Sequence, residues 1–180
     1  MTNTLTSALL LTLAMIGQVA AQQATNDQIA EINRDVWHPF VTALNETNID
    51  AYLAVHHQDV LRVSLDRGGI AQSGDNYRGH LQTLFDKIKS SGSSQSIEFR
   101  FTERMFADKI ASERGYYKFT FTTGNGGNIP YKDTVIFGAF HVISQKDDSG
   151  RWKIRMDFDF TSQEQKYNVS EQLFLSGTPL

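Results

Sequence analysis

Two stretches joined by a tight turn decide the fold: Asp133-Thr-Val-Ile-Phe-Gly-Ala-Phe-His-Val-Ile-Ser144 and Arg151-Trp-Lys-Ile-Arg-Met-Asp-Phe-Asp-Phe160. Both are rich in β-branched and aromatic residues, which suit a pleated, half-buried surface. Between them Gln145-Lys-Asp-Asp-Ser-Gly150 supplies the Asp, Ser and Gly that turns favour. The reading is a long β-hairpin over 131–162. Its first strand is apolar on both faces, since Ile136, Phe140 and Val142 oppose Val135, Phe137 and Ile143. Both sides of that strand therefore need cover. Its second strand alternates. Trp152, Ile154, Met156 and Phe158 lie on one side, and Lys153, Arg155, Asp157 and Asp159 on the other. Asp157 and Asp159, two apart on a strand, can form a general acid–base pair, but a period of two turns the apolar set inward and leaves the charged set on a solvated or interface surface.

Upstream of the hairpin two more strands alternate. Ile97, Phe99 and Phe101 oppose Glu98, Arg100 and Thr102, and Tyr117, Phe119 and Phe121 oppose Tyr116, Lys118 and Thr120. Further back the period changes to that of a helix. Ile29, Ile32, Val36, Phe40, Ala43 and Leu44 form one stripe, with Asn26 or Asp27 as cap. Pro39 inside that stripe predicts a kink beside Trp37 and Phe40. Thr47 to Asp50 reads as a weak capping box opening a second, short helix that carries Tyr52 and His56. Residues 59–65 read as a strand with Val60, Arg62 and Ser64 on one face. A third helix carries Tyr77, Leu81, Leu84, Phe85 and Ile88 on one stripe. The order predicts an α+β domain, with helices segregated to one face of an antiparallel meander.

The chain has 180 residues, enough for one domain. A net charge of −3 without a basic block argues against nucleic acid as partner. Residues 1–21 hold no charged side chain. They contain an apolar run over 8–16 and end in Val19-Ala-Ala21, the pattern of a secretory signal peptide. The organisation expected is a signal over 1–21, a polar lead-in over 22–26, the domain over 27–162 and a tail over 163–180. The location expected is secreted or periplasmic, with no membrane attachment after cleavage. The chain has no cysteine, which excludes disulfides, so the domain must stand on its core.

The element order and two local motifs resemble the NTF2-like superfamily, in its SnoaL-like and ketosteroid-isomerase-like branch. One motif is the helix–turn–helix entry over 41–60, Val-Thr-Ala-Leu-Asn-Glu-Thr-Asn-Ile-Asp-Ala-Tyr-Leu-Ala-Val-His-His-Gln-Asp-Val. The other is Gly150-Arg-Trp-Lys-Ile-Arg-Met-Asp157, similar to that family's last strand. The resemblance covers about residues 27–162. It implies an NTF2-like cone: three N-terminal helices packed in a strongly bent antiparallel sheet, with a pocket at the open end. It also implies dimerisation across the sheet, for which the tail at Leu173-Phe174-Leu175 is an alternative cover. The ketosteroid-isomerase tyrosine falls on Phe40 and the general-base aspartate on Ser64. Phe40 has no hydroxyl to donate, and a serine is no base unaided. The inward histidines of many relatives' last strand fall on Met156 and Phe158, which implies a greasier pocket without titrating groups.

The residues themselves leave few candidates for chemistry. His141 is the best-placed titratable group if its face of the hairpin is concave, and His56 comes next. A histidine at a helix end is as a rule partly exposed. His80 falls just off the stripe of the third helix. No His/Asp/Glu set has metal-ligand spacing, and no cofactor motif is present. Trp37, Phe40, Tyr52, Tyr77, Tyr117, His141, Met156 and Phe158 are the expected pocket lining. The function expected is binding of a small hydrophobic molecule. The alternatives are a lyase or isomerase using His141 or His56, and a dimerisation module whose cone is filled by side chains.

Overall fold

The structure is a computed structural model, and it describes residues 22–66, 69–124 and 132–170. The expected signal segment and Leu173-Phe174-Leu175 lie outside the described residues. Among the described residues seven strands form one sheet, in the order β1-β4-β5-β6-β7-β2-β3. They are β1 (Gln22–Gln23), β2 (His56–Ser64), β3 (Ile70–Ser73), β4 (Ser94–Phe106), β5 (Ile110–Thr122), β6 (Asp133–Lys146) and β7 (Trp152–Thr161). The hairpin β6–β7 is present, closed by a turn in which Asp147 Oδ1 accepts from the Ser149 and Arg151 amides at 2.9 and 3.1 Å. Gly150 takes the positive φ that this turn requires. The sheet is mixed, which corrects the antiparallel expectation: β2 returns beside β7 in parallel.

The first helical stripe is one run in three parts: α1 (Asn26–Ile32), a π-helical turn (Asn33–Trp37) and α2 (His38–Asn45). The His38 amide bonds to the Asn33 carbonyl, five residues back. The kink at Pro39 is thus absorbed by a π turn, which widens the helix where the proline ring would press on the carbonyl four residues earlier. Its N-cap is Thr25, in a capping box with Gln28, not Asn26 or Asp27. The next helix, α3 (Ile49–Ala54), is capped by Asn48 and not by Thr47, which sits at positive φ. Both caps lie one or two residues from where sequence placed them, because several short polar side chains compete there.

Helix α4 (Gly74–Ser90) buries Tyr77, Leu81, Phe85 and Ile88 as its stripe predicts. A short helix α5 (Glu164–Ser170) forms in the polar tail. Its Tyr167 packs on Phe137, bonds Glu98 Oε2 at 3.2 Å and lies under the Arg100 guanidinium. Part of the outer face of β6 is therefore covered by α5. The core lies between the inner face of the sheet and α1 to α4, and it joins Trp37, Phe40, Tyr52, Phe85, Phe99, Phe101 and Phe140 with Trp152 and Ile154.

Candidate functional site

One irregularity positions the site. In β6–β7 the pairing runs from Ser144↔Ile154 to Ile143↔Met156, so Arg155 is an extra residue. A bulge of this kind reverses the alternation beyond it. Trp152 and Ile154 stay inward, as expected. Past the bulge Asp157 and Asp159 turn inward and are buried, while Met156 and Phe158 go to the outer face. Met156 and Phe158 therefore do not line the interior, and the acidic pair does. Arg155 points outward and bonds Asp59 Oδ2 at 3.2 Å and the His57 ring.

The inner face of the sheet and helices α2 to α4 enclose a cavity of about 330 Å³. Trp37, Phe40, Tyr52, Tyr77 and Tyr117 line it, with Phe99, Phe119 and Phe140. Ile70, Leu84 and Ile136 contribute half-exposed apolar side chains to its wall, and the exposed His80 also lines it. The floor carries the charge. Arg62, inward on β2, donates one nitrogen to Asp157 Oδ2 and the other to Asp159 Oδ2. The register explains the contact, because Arg62 stands opposite Asp157 and Ser64 opposite Asp159 on the parallel neighbour. Tyr117 donates its hydroxyl to Asp159 Oδ2 at 3.2 Å. Gly138 makes room for that tyrosine: a Cβ there would lie 2.1 Å from the Tyr117 ring. Asp159 Oδ1 is buried without a hydrogen-bond partner.

The electrostatics follow from burial. Desolvation pushes the Asp159 carboxyl up, against the pull of Arg62 and a hydrogen bond from Ser64. Burial also raises the Tyr52, Tyr77 and Tyr117 hydroxyls, and nearby Asp157 and Asp159 push the same way, so all three stay protonated donors. Arg62 stays charged, because the two carboxylates outweigh its desolvation.

The two histidine candidates change character. His141 lies on the outer face, with Nε2 2.9 Å from Ser112 Oγ, and is absent from the cavity wall. The face that carries Ile136, Phe140 and Val142 is the concave one. His56 starts strand β2 instead of ending a helix, and it is buried instead of partly exposed. Its ring packs among Phe40, Tyr52 and Tyr77. Its Nδ1 lies 2.8 Å from the Tyr52 carbonyl, which assigns Nδ1–H as donor and leaves Nε2 a buried acceptor without a partner. Desolvation lowers its pKa to about 4, so it is neutral at pH 7. Among the described residues no cluster of three or more His, Asp or Glu could hold a metal ion.

Sequence reasoning puts the acidic pair on a solvated or interface surface, and the structure buries it. One signal for it was available: Arg62 shares a face with the core residue Val60, and a mid-strand arginine facing inward needs buried carboxylates.

No family model matches the sequence, and no curated protein matches it significantly. Solved structures do match. A ketosteroid isomerase-like protein from Erwinia carotovora atroseptica SCRI1043 superposes with a TM-score of 0.56 at 16% identity, over 77% of this chain and 99% of its own. An NTF-2 like protein of unknown function from Shewanella oneidensis MR-1 gives 0.54 at 20% identity, over 74% and 97%. A protein provisionally named a scytalone dehydratase, from Novosphingobium aromaticivorans DSM 12444, gives 0.61 at 15% identity, over 76% and 85%. The chain has the α+β fold of the NTF2-like superfamily. At these identities the likeness speaks for the fold alone.

Proposed function

We propose that this chain binds a small, mainly apolar molecule in the cavity between its sheet and helices. The observation that carries this reading is the cavity itself, about 330 Å³ of mainly apolar, aromatic-rich wall with a few polar groups. The test is native mass spectrometry of protein purified from its host. A co-purifying small molecule supports the reading, and its displacement on Phe119→Trp, which narrows the cavity, places it there. Empty protein that also binds no member of an apolar library argues for a cone without a ligand role.

A second reading is favoured by Asp159. The resemblance puts a general base on Ser64, and Asp159 stands directly across from Ser64 on the neighbouring strand. A carboxylate raised by burial at the edge of a cavity can take a proton from an uncharged substrate. Protonated tyrosines on the opposite wall can stabilise the oxygen on which charge develops. This supports lyase or isomerase chemistry with Asp159 as base, in place of His141 or His56. Deuterium uptake from solvent into a carbonyl-containing ligand, present in the wild type and absent in Asp159→Asn, is the outcome expected. Equal uptake in both removes Asp159 from that role.

We also propose a homodimer through the outer face. The bulge sends Met156 and Phe158 outward beside Leu61 and Val63 on β2 and Ile143 on β6. Phe160 and Leu61 remain 38% and 40% exposed there, and such a patch supports an interface. Phe158→Lys is expected to halve the mass seen by light scattering. An unchanged mass counts against this face. Export is proposed on residues 1–21, and the N-terminal residue of the mature protein tests it.

A further inference from the structure

We propose that the cavity selects a ligand with a protonated amine on an aromatic or aliphatic body, its ammonium seated on the Asp159 carboxylate. This rests on the reading of the cavity as a binding site and names the chemical class it takes. The first support is charge balance. One guanidinium, Arg62, meets two carboxylates, Asp157 and Asp159, which leaves a negative charge to be matched by a cation or a proton. The second is geometry. Asp159 Oδ2 already accepts from Arg62 and from Tyr117, whereas Oδ1 is buried without a bonded donor, the Ser64 hydroxyl being the remaining group that acts on this carboxylate. An ammonium donates up to three hydrogens and accepts none, which suits an acceptor left alone.

The walls point the same way. The rings of Tyr77, Tyr117 and Phe119 border the same space, and their faces attract a cation once it is desolvated. An anionic ligand meets the reverse situation. Arg62 is the cation at the floor, and both of its terminal nitrogens are held by carboxylates, so an incoming anion faces two like charges before any donor.

The experiment is calorimetric titration at pH 7 with three probes that share one ring system: 1-naphthylmethylamine, 1-naphthalenemethanol and 1-naphthoate. The amine is expected to bind roughly tenfold or more tighter than the alcohol, and the naphthoate weakest. In Asp159→Asn the advantage of the amine over the alcohol disappears. Equal affinity of amine and alcohol in the wild type, or an amine preference that survives Asp159→Asn, overturns the proposal and leaves the cavity as a binding site for neutral molecules. No binding by any probe overturns the binding reading and this proposal with it. The wild-type ranking decides without the variant, so a misfolded variant leaves the test intact.

Discussion

Among the described residues two buried ionic clusters stand out, and they are built on opposite plans. In the first, Arg104 bonds Glu113 Oε1 at 2.7 Å through Nε and Asn33 Oδ1 at 2.7 Å through Nη2, while Trp37 Nε1 donates to Glu113 Oε2 at 2.9 Å. One cation meets one anion, and both carboxylate oxygens are satisfied. Glu113 is 0% exposed, and neither it nor Arg104 lines the cavity. Burial pushes the Glu113 carboxyl up, and Arg104 with the Trp37 N–H opposes it. Both helical partners, Asn33 and Trp37, come from the π turn, so this cluster fastens the irregular helix to β4 and β5. In the second cluster one arginine serves two carboxylates, one carboxylate oxygen has no partner, and the group borders open space. A network closed on itself holds structure. One left short by a donor is where the proposed ligand would sit.

The largest effect is expected where the closed cluster is opened. Glu113→Gln keeps the shape and removes the charge, leaving Arg104 buried without a counter-ion. Breaking such a pair costs about 3–5 kcal/mol. Urea denaturation checks this, and a loss under about 1 kcal/mol would show that Arg104 finds another partner and that the cluster is not the fastening described.

Next comes His56, the neutral histidine beside the open cluster. Its folded pKa, about 4, lies below the ordinary 6.5. The unfolded chain therefore takes up the proton first. The contribution is full above pH 6.5, declines as pH falls to about 4 and changes no further below that. The window corresponds to roughly 3 kcal/mol at most. Urea midpoints between pH 7 and pH 4 should fall more steeply in the wild type than in His56→Gln. Parallel profiles would mean that the ring is not held neutral.

Gly138 gives a smaller and more local effect. Its missing side chain is the space that the Tyr117 ring occupies. Gly138→Ala should destabilise by about 1–3 kcal/mol through overpacking and should break the hydrogen bond from Tyr117 to Asp159. A crystal structure of the variant checks the second point. Tyr117 in place beside an alanine would show that β6 yields instead.

The contrast between the clusters also explains what could be read in advance. The hairpin, the order of elements and the stripes on α1, α2 and α4 follow from local periodicity, because each depends on neighbours three, four or two residues away. The aromatic lining at Trp37, Phe40, Tyr52, Tyr77 and Tyr117 comes with those stripes. The acidic floor does not. Strict alternation through Trp152-Lys-Ile-Arg-Met-Asp-Phe-Asp159 puts both aspartates outside, and only the unpaired Arg155 puts them inside. A bulge is set by how two neighbouring strands fit, and no pattern within one strand encodes it. The same shift moves Phe158 onto the outer face, where His141 of the regularly alternating β6 is its register partner.

The smallest change in stability should come from the open cluster, and it bears most directly on the comparison. Asp159→Asn removes one of two carboxylates around Arg62 and leaves Arg62 paired with Asp157. It also removes the charge that burial disfavours, since the Asp159 carboxyl is pushed up. A raised folded pKa means that the folded protein is penalised at neutral pH and regains stability as pH falls through that pKa. The variant should therefore be within about 1 kcal/mol of the wild type at pH 7, on the more stable side, and the gain should shrink as pH is lowered. Set beside the loss in Glu113→Gln, that sign separates a site kept for function from one kept for structure. A loss of roughly 3 kcal/mol in Asp159→Asn, as for a buried pair broken at one partner, would place both clusters in the same structural class.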